Sequence, residues 1–381
     1  AHPHRWSTDP YEAVVEDGWL HGRGSLDMKG ANAAFMSALL RHVDEGARFD
    51  RDIIYLADCD EEGGWYGTRW LVDNHWDKVD AGAVITEGGW TLTQQDGTTP
   101  MLASMTCLDR TFGAVRLTAR GTATHSSRPT ADSAIVRLAA VVTALAVLQP
   151  DAVPTEINDQ YFAALADATT DPQFAQAIRA LRAAPDVAAR NAAGRLLVDR
   201  SPYPWLHNAM LRATVSYVVQ DGGRRANVIP GEASVLLQLR FTPQGEPPRR
   251  VLEWLRSVVP DESIAMTLVG PPGESEQDTL ARWERDWSIS ASPTDTDVFT
   301  AWQKAVDHVM PGIPAVAAMF EAGTSAKPWH DRGIPVYGIY PCAVDNDTLT
   351  RMHGDDERVR TSALRQGAEL LHRMFAEFRM S

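Results

Sequence analysis

The feature that most constrains this chain is an alternation of strand-like and helix-like segments at both ends, interrupted by a middle stretch with a different order. Residues 31–43 carry Ala, Leu and Met at helical spacing, 52–57 (DIIYLA) read as a short apolar strand, 66–74 as a helix and 81–86 (AGAVIT) as another strand. Strands alternating with helices predict a layered α/β sheet. Ligands of such sheets gather at the carboxyl ends of the strands, so Asp58 to Glu62 and Glu87, each directly following its strand, are expected at the same end. The α/β pattern returns late, with helices over 297–309 and 361–378 and a strand over 335–339.

Between these parts the order is strand (110–119), helix (131–148), two strands (213–219 and 233–241), helix (248–258) and strand (263–269). That is the order of a ferredoxin-like sandwich. An Ala- and Arg-rich helical insertion, 151–205, separates its first helix from its second strand. The chain has 381 residues, enough for about two domains. The expected architecture is therefore α/β, one α/β domain interrupted by an α+β insertion: residues 1–106, then 107–275, then 276–381.

Composition excludes several classes. A formal net charge of −14 argues against a nucleic-acid-binding face. No apolar run approaches the ~20 residues of a membrane span. Cys59, Cys107 and Cys342 are odd in number and widely spaced. They suit neither a disulfide framework nor a zinc ribbon, and point to a reducing, cytoplasmic setting.

The chemistry-bearing residues sit in short motifs. Asp60-Glu61-Glu62, followed by two glycines, sets three like charges side by side. A bound cation, or one protonated member, offsets their repulsion; an acidic surface turn is the plainer alternative. In Gly22-Arg23-Gly24-Ser25-Leu26-Asp27-Met28-Lys29-Gly30, Asp27 precedes a helix, as a ligand or as its N-terminal cap. Glu87-Gly88-Gly89 suits a ligand loop or an ordinary turn. His353 lies in Arg351-Met352-His353-Gly354-Asp355-Asp356-Glu357-Arg358, and His125 in Gly121-Thr122-Ala123-Thr124-His125-Ser126-Ser127-Arg128-Pro129. Carboxylates with imidazole suit zinc, cobalt or manganese.

Taken in order, GRGSLDMKG, DEEGG, EGG, GTATHSSRP, NVIP and MHGDDERV resemble the cocatalytic zinc amidohydrolases. That family includes aminoacylases, acetylornithine and succinyl-diaminopimelate deacylases, carboxypeptidase G and related dipeptidases. The resemblance covers nearly the whole chain. It implies a zinc-peptidase-like catalytic domain with an inserted dimerisation (lid) domain, two divalent metal ions and a homodimer. It also implies roles. Asp27 resembles the carboxylate bridging two metals, Glu62 and His353 the other ligands of one, and Glu87 a ligand of the second. Glu61 resembles the general base, and His125 the residue that stabilises the oxyanion, commonly in the partner subunit's site. Asn227 and Arg240 resemble substrate-binding residues, Arg240 for a carboxylate, and Gly323 a backbone contact.

Two departures matter. The family's H-x-D-V-V-P segment, which supplies a further metal-binding histidine, precedes a stretch like Trp6-Ser7-Thr8-Asp9-Pro10. The chain as given opens after that point, at Ala1-His2-Pro3-His4, and His2 and His4 read as loop residues. Residues 1–381 by themselves are accordingly expected to be unstable or inactive. Second, Gly323-Thr324-Ser325-Ala326-Lys327 stands where the family often has G-T-D-A-R, and Lys does not replace the fork of Arg.

The expected function is hydrolysis of the amide bond of an N-acyl amino acid or small peptide with a free carboxylate. A dipeptidase or carboxypeptidase of the same family, a mononuclear enzyme using Asp27, Glu62 and His353, and a non-catalytic metal-binding relative are the alternatives. Tyr161, Phe162, Phe174 and Trp205 of the helical insertion either line an acyl pocket or pack its helices.

Overall fold

The computed structural model describes residues 2–64, 66–259 and 263–380. Two kinds of strand explain its architecture. Thr111–Arg120 and Glu232–Phe241 bury every second residue, as a sheet with one covered face requires. Val115, Leu117 and Ala119 point inward with Val235, Leu237 and Leu239. These strands pair antiparallel, with Ile264–Val269 and Thr214–Asp221 at the edges. Numbered along the chain the order is 4-1-3-2, the ferredoxin-like arrangement expected from the sequence. Helices Ala134–Ala146 and Pro248–Val258 cover the inner face through Leu138, Leu145, Val251, Leu252 and Leu255.

Pro100–Asp109 is the second kind, buried at every position but its two ends. Helices on both sides of a sheet produce such continuous burial. It pairs antiparallel with Thr91–Thr93, parallel with Ala315–Phe320 and antiparallel with Val336–Gly338, which runs parallel to Val84–Thr86. Helices Lys29–Asp44, Asp297–Val309 and Thr361–Ala376 pack on one face. Glu156–Ala168 and the helices after it pack on the other. The helical insertion thus rests on the α/β sheet. Helix Glu276–Trp287 instead sends Trp283 into the core of the middle sheet.

The expected strand at 52–57 does not form. The segment takes no regular secondary structure, no described strand pairs with it, and Ile54 is 50 % exposed. Its composition satisfies a strand pattern, but a strand needs a neighbour to accept its backbone hydrogen bonds. Three short strands join the ends of the chain: Val14–Glu16, Trp19–His21 and Arg358–Arg360. They bring the Asp27 and His353 motifs side by side, and Gly22 N donates to Glu357 O at 3.1 Å.

Candidate metal and substrate site

The sheet places Glu87 by close packing. It follows Val84–Thr86, and the chain then turns through Gly88 and Gly89 at φ +106° and +68°. A Cβ on Gly89 would lie 2.4 Å from Gly338 O and 2.5 Å from Ser104 O, and one on Gly88 2.7 Å from Thr106 Oγ1. Only glycine permits both the positive φ and this approach.

Asp27 ends the loop before Lys29–Asp44. The cap position falls on Met28, with no side-chain cap, so the Asp27 carboxylate serves elsewhere. Its Oδ2 lies 2.9 Å from His353 Nε2, which is also 2.8 Å from Glu62 Oε1. Asp60 turns away from this group: its Oδ2 accepts from Gly67 N at 2.8 Å, tying the acidic triplet to helix Tyr66–Asn74.

Asp27, Glu61, Glu62, Glu87 and His353 line a cleft of about 280 Å³ with Trp90, Phe320 and Tyr340. Its other wall is the outer face of the middle sheet. Phe112, Gln238 and Arg240 stand there because the strand alternation points their neighbours into the core. Phe112 and Arg240 are in register, with the guanidinium 5.5 Å from the ring centre. Burial lowers the Arg240 pKa, and the charge of Glu61 opposes that. Gly323 also lines the cleft. Its loop is held by Thr324, whose N and Oγ1 donate to Asp109 Oδ2 at 3.1 and 3.0 Å.

The electrostatics are those of an anionic hollow. Burial and the charges of Glu61, Asp27, Asp109 and Glu62 push Glu87 up to about 9. Burial and Glu62 raise Asp27, with His353 opposing. Burial works against a charge on His353, but Glu62 and Asp27 outweigh it and its pKa rises. Oxygen and imidazole donors of Asp27, Glu62 and His353 lie within 4.8 Å of one another. Carboxylates that raise one another's pKa around an imidazole form a donor set that fits a divalent cation. A second cluster, His42, Glu45 and His372, already contains a cation: Arg379 pairs with Glu45 and donates to His42 Nδ1.

Other expected residues lie elsewhere. His125 and Asn227 are exposed and do not line the cleft. Their segments pair in a short ladder, Thr124–His125 against Val228–Ile229, and just beyond it Ser126 N donates to Asn227 O. His125 Nδ1 is 2.9 Å from Ser127 Oγ. His2 and His4 are exposed. Tyr161, Phe162 and Phe174 are buried in the core with Leu165 and Ile178, away from the cleft. Trp205 is 38 % exposed. Lys327 sits between Asp286 and Asp331, at 3.2 and 2.6 Å, which occupies its ammonium.

The residue that sequence reasoning passed over is Glu357. It is fully buried and accepts hydrogen bonds from the backbone N–H groups of Leu26 and Asp27 at 2.8 and 3.0 Å. The available signal was its position four residues after His353, at the end of the acidic run Asp355-Asp356-Glu357.

A model of the peptidase family M20/M25/M40 matches residues 1–377. The chain belongs to this family. The resemblance read from its motifs is thereby borne out, and the family supports metal-dependent amide hydrolysis by a hydrolase. The chain is 21% identical over 367 residues to a probable carboxypeptidase S-like 2 of Dictyostelium discoideum, covering 95% of this chain and 66% of that protein. It is 23% identical over 371 residues to the N-fatty-acyl-amino acid synthase/hydrolase PM20D1 of Xenopus tropicalis, covering 96% and 67%. The chain thus spans about two thirds of the length of these relatives. The fold is similar to that of an M20 family metallo-carboxypeptidase, Sso-CP2, from Sulfolobus solfataricus. The TM-score is 0.63 at 15% identity, over 99% of this chain and 81% of that one.

Proposed function

We propose that this protein hydrolyses the amide bond of an N-acyl amino acid or small peptide that carries a free carboxylate. The observation that carries the reading is the cleft itself. It sets the donor group Asp27, Glu62 and His353 beside Glu61 on one wall and Arg240 on the other. A divalent metal held by Asp27, Glu62 and His353 would polarise the scissile carbonyl and acidify water.

The chain's own residues do the rest. Glu61 takes the proton from water and delivers it to the leaving amine. Arg240 holds the substrate carboxylate through charge-assisted hydrogen bonds, and Gly323 lends backbone contact. Trp90, Phe112 and Phe320 exclude water around the reacting amide. Glu87 lines the same cleft, and a second metal, zinc, cobalt or manganese, would displace the proton that burial keeps on its carboxyl and take it as a ligand. The compact trio without Glu87 favours a second reading, a mononuclear site. Metal analysis separates them, as two ions or one per chain.

The same proposal includes a homodimer through the domain inserted at about 107–275, between catalytic parts 1–106 and 276–381. The edge strand Thr214–Asp221 supports it by exposing Val218 and Val219, at 50 % and 53 %. His125 and Asn227 would then serve the partner's cleft, which accounts for their exposure. A cytoplasmic setting goes with this reading. Among the described residues no helix is long and apolar enough to cross a membrane.

The test is hydrolysis of a panel of N-acyl amino acids and dipeptides by the full-length protein with zinc, cobalt or manganese. Each is compared with its carboxyl-amidated form. Metal-dependent turnover that falls when the carboxylate is blocked is expected. No turnover of any amide with any of these metals would falsify the reading.

A further inference from the structure

The buried carboxylate of Glu357 has more partners than a simple ion pair. Oε1 accepts the consecutive N–H groups of Leu26 and Asp27, so it fixes the backbone that carries the Asp27 carboxylate. Oε2 takes Arg23 Nη1 at 2.5 Å, and Arg23 Nη2 donates to Gly354 O at 2.5 Å. Gly354 follows His353, whose φ of +60° is a conformation that residues with a Cβ seldom hold without support from their surroundings. The Trp6 ring lies 5.2 Å from the Arg23 guanidinium carbon. One carboxylate and one guanidinium thus join the Asp27 loop to the His353 loop, motifs that are 326 residues apart in sequence.

We infer that Glu357 and Arg23 are positioning residues that set metal affinity by holding Asp27 and His353 at one separation. Neither lines the cleft, so both act through the backbone of the ligand loops. Outer partners that orient metal ligands typically change affinity about 10–100-fold when removed. Arginine is needed because one planar fork reaches both Glu357 and Gly354 O, which a single ammonium does not reproduce.

This inference rests on the metal-site reading above, and one experiment distinguishes them. The full-length protein is stripped of metal and titrated with zinc by calorimetry, with the cobalt absorption spectrum as a second readout. Wild type, Glu357→Gln and Arg23→Lys are compared, and the melting temperature of each metal-free protein is measured. Both variants are expected to bind zinc about 10–100-fold more weakly, with an altered cobalt spectrum. Arg23→Lys leaves Glu357 a cationic partner, so its metal-free melting temperature should stay near wild type; a purely structural ion pair would not move affinity under that condition. If Glu357→Gln does not fold, Arg23→Lys decides. Zinc affinity within twofold of wild type in the folded variants overturns the clamp while leaving the metal site standing. A wild-type protein that takes up none of zinc, cobalt or manganese overturns both.

Discussion

Glu61 and Glu62 are neighbours in sequence with different surroundings. Glu62 meets His353 at 2.8 Å. The charge of Glu61 acts across the cleft on Arg240 and, together with that of Glu62, on Glu87. A proposed base and a proposed ligand should respond differently to the same change. In Glu61→Gln, turnover is expected to fall about 10²–10⁴-fold with metal content unchanged. In Glu62→Gln, bound metal itself should fall, so mass-spectrometric metal analysis beside kcat separates the two. Most cleft acids were legible in the sequence because each stands in a short glycine-containing motif, GRGSLDMKG, DEEGG or EGG. Glu357 was not, because its importance comes from burial. That burial exists only once Arg358–Arg360 pairs with Trp19–His21, a contact between the two ends of the chain.

At the scale of elements, legibility followed periodicity. Helices Pro248–Val258 and Asp297–Val309 were read to their bounds because one face of each is apolar at helical spacing. Thr111–Arg120 was read from its alternation. Pro100–Asp109 and Ala315–Phe320 were missed, since strands covered on both sides lose the period of two that marks them. The opposite error occurred at 52–57, where composition suggested a strand that has no partner. The glycine turn after Val84–Thr86 gives a direct test of close packing. Gly89→Ala should destabilise the protein by about 1–3 kcal/mol, seen as a lower urea midpoint. Its Cβ would meet the backbone oxygens of Gly338 and Ser104, which cannot swing aside. A midpoint equal to wild type would mean that the turn has room to spare.

For the whole molecule, the helical layer on the α/β sheet imposes a pH dependence. His207 is buried among Tyr161, Phe162 and Phe174, and burial lowers its pKa from 6.5 to about 3. The unfolded chain therefore binds a proton near pH 6.5 that the folded chain refuses until about pH 3. Between those values the unfolded state holds more protons, so stability falls as pH falls. The wild type should lose more stability between pH 7 and pH 5 than His207→Gln, measured as urea midpoints at both pH values. Parallel losses in the two proteins would assign the acid sensitivity to other groups. The cleft also depends on the whole molecule, since its acids come from loops of the α/β part and Arg240 from the middle sheet. Only Arg110 separates Pro100–Asp109 from Thr111–Arg120. Buried, it donates to Arg212 O, Arg240 O and Thr214 Oγ1. In mechanical terms it is a pinned joint: the two walls cannot slide past each other along this connection. A rotation of the two walls about Arg110 would move Arg240 little, because its backbone carbonyl is anchored to the pin itself.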